Sequence, residues 1–534
     1  MTKNETETAI ANIYLDAAIV SSGYRNIYSI GPYGSRINFS SQQSRAYNLA
    51  WALHKTNTIE KDFQIAVVGA GLAGATCAIT LASLGYSVNI FETLNEPIAG
   101  DMRTASHRVV HPTLNRWPFS PLSPVTDFPD LNWGAGICSN ILDGLASHIK
   151  TRIKVLDISE SYKVNITEVE HHRNRVKLSW VVDDDIVDKK FSTVIIATGF
   201  GVEKDIDGYE YHSYWQRDNL ESVVTNSAIE SNHGVSGIGD GALIDCFRIL
   251  CANKFENGYF ILKFLGLLKK TKKYESIKRQ IKVAEEHAST LFHSPYESDL
   301  PKIKDNVSEE LHRAYKKIAK DVTGEAEDYL FNAVFRDTEG LKNSICLVGR
   351  QLKPFSIFAA PIHKLVLAYY LDHRFIKYKI DTSDRSESSN GFGIFVKRHG
   401  AKPPITNILP DLDENKLIIR QTLLFDRLEL HSVDWNQLLP NSLEFCETDE
   451  QKYCVEQFFL SDENYSRFEK AIQYLESVGI KGSALNESED KKIILIKELL
   501  TDENKNKLLL LGGAPEVLYG IDVREASTEE ITLI

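Results

Sequence analysis

Gly69, Gly71 and Gly74 stand in the pattern G-x-G-x-x-G, with Leu72 and Ala73 between the last two glycines. The pattern suits the holding of phosphate. The first glycine allows a tight turn, the second lets the backbone approach a pyrophosphate, and the third lets a helix pack closely on a strand. The amides that open such a helix lack intrahelical acceptors and carry a partial positive charge. Glu92 follows 18 residues beyond Gly74, where a carboxylate accepts hydrogen bonds from ribose hydroxyls. The surrounding sequence predicts the elements that must position these groups. Phe63–Val68 reads as a short apolar strand, Ala75–Leu84 as a small-residue helix stopped by Gly85, and Val88–Phe91 as a second strand ending at Glu92. This is β-turn-α-β, the context the motif requires.

Four further groups have the chemistry of a nucleotide site. In Ala99-Gly100-Asp101-Met102-Arg103-Thr104, Gly100 and Arg103 suit a pyrophosphate, because a guanidinium fork donates two bonds at once. Phe191–Ala197 reads as a strand ending in Thr198-Gly199, where small residues let the backbone come close to a ligand. Gly237-Ile238-Gly239-Asp240-Gly241-Ala242 is a second glycine turn ahead of a helix. Asp240 and Asp245 place two carboxylates beside it, and Asp240 has the spacing of an N-cap. Ser344–Val348 reads as a strand ending in Gly349-Arg350, with a helix over Ile362–Leu371.

Between Pro112 and Pro129 lie five of the chain's 16 prolines, so this stretch is neither a helix nor a central strand. Its aromatic residues predict an ordered loop, and long ordered loops are often functional. His111 is a candidate for proton transfer near neutral pH. Trp133 is a candidate to stack on a cofactor or substrate. No set of residues reads as a metal centre. Arg398-His399-Gly400 has the letters of a phosphatase signature but reads as a turn after a strand over Phe392–Val396.

The 534 residues carry a net charge of −12, which argues against nucleic acid as a partner. The basic stretch Lys269–Lys282 reads as a solvated helix face. Seven scattered cysteines without Cys-x-x-Cys exclude a zinc ribbon or a dithiol redox centre. No apolar run reaches the roughly 18 residues of a membrane span, and no signal segment opens the chain. The expectation is a cytoplasmic protein that does not associate with membranes.

The order of the motifs resembles that of FAD/NAD(P)-binding flavoproteins with two dinucleotide-binding domains, the group that includes thioredoxin reductase. In that group an FAD-binding glycine motif precedes an Ala-Thr-Gly turn, here Ala197-Thr198-Gly199. A nicotinamide-binding motif follows, here Gly237–Ala242. A last strand then ends in Gly-Asp, whose aspartate binds the FAD ribityl chain; here the match is Gly349-Arg350. The Gly100–Arg103 stretch resembles a second FAD fingerprint of amine-oxidase-like flavoproteins. The resemblance implies an α/β fold with a Rossmann-like FAD-binding domain over 61–204 and 340–375. A second, modified dinucleotide-binding unit with a helical insert would occupy 205–339. Residues 1–60 would be a lead-in, 381–390 a linker, and 391–534 a C-terminal α+β extension. The implied cofactors are FAD and NADPH or NADH, and the implied activity is that of an oxidoreductase, a reductase or monooxygenase, on a small molecule. The competing reading is a non-catalytic sensor or scaffold whose insert and C-terminal region bind a protein partner.

Overall fold

The structure is a computed structural model. It describes residues 3–421 except 21–22, 25, 32, 34–36, 60–62, 121, 127, 173, 183–184, 202–212, 219, 221–231, 252–258, 293–299, 327–344, 382–391, 393, 401–402, 415 and 419. Beyond these it describes three strands. Apart from Asp381, the expected linker over 381–390 lies outside the described residues, as does most of the expected C-terminal extension. In chain order the first strands are β1 (Ile27–Ser29), β2 (Ile65–Val68), β3 (Val88–Glu92), β4 (Val109–Val110) and β5 (Gly136–Ile137). Then come β6 (Ser159–Tyr162), β7 (Ile166–His172), β8 (Arg175–Val182), β9 (Asp185–Phe191) and β10 (Thr193–Ile196). The next set is β11 (His233–Ser236), β12 (Ile345–Gly349), β13 (Ile376–Ile380) and β14 (Ile394–Lys397). The last strands are β15 (Gly482–Ser488), β16 (Lys491–Ile496) and β17 (Asp522–Glu525), which pair with one another.

Two parallel sheets organise the molecule. The first has the order β1-β10-β2-β3-β6, and the second β13-β12-β11-β14. Each glycine turn follows a central strand of its sheet, β2 or β11. The strands that follow β2, namely β3, β6 and β10, and those that follow β11, namely β12, β13 and β14, lie around it in the order 3-2-1-4. This is the order of dinucleotide-binding sheets, whose ligands sit beyond the carboxyl ends of the strands. Strands β2 and β10 are buried on both faces, which is why they read as unbroken Ile-Ala-Val-Val and Thr-Val-Ile-Ile runs.

The register corrects three expectations. Residues 1–60 are not a lead-in. Strand β1 pairs with β10, Ile27 opposite Val194 and Ser29 opposite Ile196, and fills the edge of the first sheet. The helix Phe39–Lys55 shares a buried core with the helix Leu72–Ser83. Strand β12, expected in the first domain, pairs with β11 in the second sheet, Ile345 opposite His233 and Val348 opposite Ser236. The helix after it, Pro361–Asp372, packs into that unit's core with the insert helices Tyr259–Lys269, Tyr274–Phe292 and Leu300–Ala326. The segment Phe191–Ala197 divides at Ser192: residues before it join the antiparallel sheet β7-β8-β9, and residues after it join the first parallel sheet.

Described residues in and beside the Pro-rich loop tie the two units together. Trp117 is 2% exposed and lies in the core of the second unit, its ring stacked on Tyr274 at 6.5 Å. At the other end of the loop, Leu131 and Trp133 belong to the core of the first unit. The far face of the first sheet, with Ile27, Ala66, Val68, Val194 and Ile196, is covered by Ile405, Ile408, Leu409, Leu412 and Leu417 together with the β7-β8-β9 sheet.

Candidate functional site

The first glycine turn has two kinds of glycine. Gly69 has φ of +106°, and a Cβ there would stand 2.4 Å from the Ala197 carbonyl oxygen. A Cβ on Gly74 would stand 1.9 Å from the Gly69 carbonyl oxygen. These two positions are closed by backbone. At Gly71 an added Cβ would meet nothing within 4 Å. Gly71 is also the N-cap of the helix Leu72–Ser83 and offers no side-chain cap, so the amides of Leu72, Ala73 and Gly74 lack an intrahelical acceptor. Free amides at a cleft into which a glycine opens are the cradle that a pyrophosphate needs.

The neighbours of the turn are fixed by short bonds. The Gly69 amide donates to the Phe91 carbonyl at 2.7 Å, and the Ala197 amide to the Val68 carbonyl at 2.7 Å. The Glu92 carboxylate accepts from the Ala70 amide at 2.8 Å through Oε2 and from the Leu94 amide at 3.0 Å through Oε1. It therefore stands beside the turn, at the carboxyl end of β3. Gly199 follows β10 with φ of +71°, next to Thr198 and Ala197, which abuts both Gly69 and Gly74. Gly100 has φ of +113° and opens the short helix Asp101–Thr104. Arg103 on that helix is held by two carboxylates, Glu96 at 2.9 Å and Asp143 at 2.6 Å.

The second turn repeats the design. Gly237 has φ of +129°, and a Cβ there would stand 2.2 Å from the Arg398 carbonyl oxygen. A Cβ on Gly241 would press on the Tyr214 ring at 3.2 Å. Gly239, N-cap of the helix Asp240–Leu250, opens on free space just as Gly71 does. Asp240 is the first residue of that helix and not its cap. Its carboxylate accepts from the Ala360 amide at 2.8 Å and pairs with His363 Nδ1 at 2.6 Å, so it caps the neighbouring helix Pro361–Asp372. Burial works against its charge, but His363 and the amide outweigh it and hold the carboxyl below its usual range.

Asp245 is also turned away from the cleft. It is fully buried and bonds Arg108 Nη1 at 2.5 Å, Arg398 Nε at 2.7 Å and Arg248 Nη1 at 3.1 Å. Burial opposes its ionisation, yet the three guanidinium groups hold its carboxyl well below the carboxylate range. Asp218 bonds Arg108 at 3.0 Å and Arg248 at 2.6 Å. Arg108 lies 3.9 Å over the Tyr214 ring. The partners of this cluster come from the first unit, from the segment between the units and from both ends of the second. No local spacing in the sequence pointed to it. The two carboxylates that the sequence places beside the second turn are thus both engaged by partners within the protein.

Gly349-Arg350 is not at the first turn. It ends β12, next to β11, and Gly349 packs on Ile238 of the second turn, where a Cβ would stand 2.6 Å from Ile238 Cγ2. The usual ribityl contact of a last strand is therefore not made here. Arg350 is exposed, and among the described residues it has no hydrogen-bond or ion-pair partner. Gly349 holds the place that Glu92 has in the first unit, and Arg350 follows it, just beyond the carboxyl end of the strand next to the glycine strand. Dinucleotide sites put at this place the residue that meets the adenosine ribose, an acid for a free 2′-hydroxyl and an arginine nearby for a 2′-phosphate.

Neither candidate catalytic side chain fits its expected role. His111 is buried, and its Nδ1 accepts from the amides of Thr113 and Leu114, each at 3.2 Å. Burial, helped by the charge of Lys269, pushes its pKa down to about 3, so it is neutral at physiological pH and not a proton shuttle. Unfolded histidine takes up a proton below about pH 6.5, whereas the folded form does so only near pH 3. Stability should therefore fall with pH across that window, by about 2 kcal/mol between pH 7 and pH 5 from this group. Urea unfolding of His111→Asn, whose side chain can still accept from the turn, is expected to show a shallower loss by that amount. Equal slopes for variant and wild type would contradict the assignment. Trp133 is a core residue. Its indole nitrogen donates to Gln43 Oε1 at 2.7 Å, and its ring meets Phe39 edge-on at 6.0 Å.

The described cysteines are free. Burial raises the thiol pKa at Cys77, Cys138, Cys246 and Cys346, to about 12 at Cys138. These thiols are poor nucleophiles at neutral pH. Cys446 and Cys454 lie outside the described residues. Among the described residues no three His, Cys, Asp or Glu side chains form a group that could hold a metal ion, and no helix is long and apolar enough to cross a membrane.

Residues 63–243, which include both glycine turns, match the family described as pyridine nucleotide-disulphide oxidoreductase. Among solved structures, the chain is similar to bacillithiol disulfide reductase from Staphylococcus aureus at 11% identity and a TM-score of 0.32, over 64% of this chain and 78% of that one. It is similar to OTEMO, solved with FAD and NADP, at 11% identity and a TM-score of 0.32, over 65% of this chain and 73% of that one. A ferredoxin reductase from Rhodopseudomonas palustris aligns at 19% identity and a TM-score of 0.17, over 28% of this chain and 26% of that one. No curated protein matches the chain.

Proposed function

Because residues 63–243 match the family described as pyridine nucleotide-disulphide oxidoreductase, we propose that the protein is an FAD-dependent oxidoreductase whose flavin is reduced by NADPH. The observation that carries this reading is the duplication: two parallel sheets of the same strand order, each with a glycine that opens on free space at the helix N-terminus after its central strand.

In this reading the first site holds FAD. Gly71 and the amides of Leu72, Ala73 and Gly74 receive the pyrophosphate, Glu92 the adenosine ribose, and Thr198-Gly199 lies toward the flavin. Gly100 opens the neighbouring loop. Arg103 orders that loop through Glu96 and Asp143, and its guanidinium is not the phosphate ligand. The second site holds the nicotinamide nucleotide on Gly239 and the amides after it. Gly237 and Gly241 set the turn against Arg398 and Tyr214. When bound, the flavin supplies hydride and electron transfer; the protein binds, orients and excludes water. Disulfide exchange on the protein itself is not part of the reading, because four of the described thiols are buried and the fifth, Cys346, is half-buried.

Arg350 supports NADPH over NADH. A guanidinium at the end of β12 suits a phosphate dianion, and no carboxylate stands at that position. The test is anaerobic mixing of the FAD-loaded protein with NADPH and with NADH, followed at 450 nm. Bleaching by NADPH, faster at low concentration than by NADH, is expected. Failure of both nucleotides to bleach the flavin would overturn the reading.

A further inference from the structure

We infer that the segment around Ile30, Gly31, Asn38 and Phe39 forms the wall of the FAD site at its flavin end. This inference rests on the FAD reading above. The argument follows the order of groups along the carboxyl edge of the first sheet. Glu92, for the adenosine ribose, stands at β3. The pyrophosphate turn stands one strand over, at β2. FAD extends from its adenosine through the pyrophosphate to the ribityl chain and flavin, so the flavin half lies on the side of β2 away from β3. The next strand on that side is β10, with Thr198-Gly199, and the next is β1. Neighbouring strands lie about 4.8 Å apart, so β1 stands roughly 10 Å beyond the pyrophosphate turn, within reach of the flavin half.

What stands at the end of β1 is built and partly unsatisfied. The Ile30 amide extends the ladder to the Ile196 carbonyl at 3.0 Å, so the chain leaves the sheet at the same edge as the glycine turn. The Gly31 carbonyl accepts from Gln42 Nε2 and from Arg45 Nη1, each at 3.0 Å, which fixes the exit against the helix Phe39–Lys55. Asn38 caps that helix through Oδ1, which accepts from the Ser41 amide at 2.7 Å. Its Nδ2 is buried and has no acceptor in the protein. Phe39 stacks on Trp215 at 5.7 Å, so the wall joins an aromatic pair to the segment that leads into the second unit. The contact made by a last Gly-Asp strand in the resembling flavoproteins is thus replaced by chain that precedes the first glycine turn.

Hydrogen exchange of the full chain with and without FAD tests this. FAD is expected to slow exchange in peptides covering 65–75 and 197–201, and also in those covering 27–42. Slowing at the glycine turn with none over 27–42 would overturn the inference and leave the FAD reading intact. No slowing in either region would overturn the FAD reading itself, and the inference with it.

Discussion

Gly71→Val is expected to give a folded protein that does not bind FAD. A Cβ added at Gly71 meets no protein atom within 4 Å, so the variant should unfold at the wild-type denaturant concentration. The same side chain fills the cleft against which a pyrophosphate must lie, and the affinity should fall at least a thousandfold, roughly 4 kcal/mol. Gly74→Val supplies the contrast. Its Cβ would stand 1.9 Å from the Gly69 carbonyl oxygen, a clash of backbone with side chain that no rotamer relieves, and the variant is expected to be insoluble or unfolded. Circular dichroism and flavin fluorescence on the two proteins check both halves. A Gly71→Val protein that stays yellow would remove the first turn from the FAD site.

The second large effect concerns the nucleotide. Gly239→Val should leave the yellow colour unchanged and abolish reduction by NADPH, because this glycine opens on its own cleft. Arg350→Glu should act more selectively. It replaces a free guanidinium by a carboxylate at the end of β12, and it should raise the KM for NADPH by about a hundredfold, the effect of two lost charge-assisted hydrogen bonds. The KM for NADH should change by less than about threefold, since NADH brings no 2′-phosphate to that place. Stopped-flow titration with both nucleotides reads the ratio. Equal losses for both would show that Arg350 does not read the phosphate.

The parts of the site that sequence made legible are those whose chemistry is local. A glycine turn needs only its own strand and helix, so Gly69–Gly74, Glu92 and Gly237–Ala242 were readable from spacing. Arg350 was visible as a residue, but its strand was placed in the wrong sheet. Sheet order decides which strand lies beside which, and here the helical insert separates β11 from its neighbour β12 by more than a hundred residues. The roles given to His111 and Trp133 failed for a different reason. Residue type shows what a side chain can do in water, whereas burial decides what it does in place, as the tie of Trp133 to Gln43 illustrates. The Arg108, Arg248 and Arg398 cluster on Asp245 has no sequence signature at all, because its members lie as far as 153 residues from Asp245 along the chain.

The first sheet also constrains how the chain is made. Its strands come from residues 27–196, but the apolar face of Ile27, Ala66, Val68, Val194 and Ile196 is partly covered by residues 405–417. Synthesis runs from the N-terminus and domains fold as they emerge. The whole second unit, β11 to β14, therefore leaves the ribosome before the cover does. For the time taken to translate about two hundred further residues, that face waits incompletely covered. This is the interval in which a nascent chain of this design depends most on a chaperone, and in which a stalled ribosome leaves its most aggregation-prone fragment.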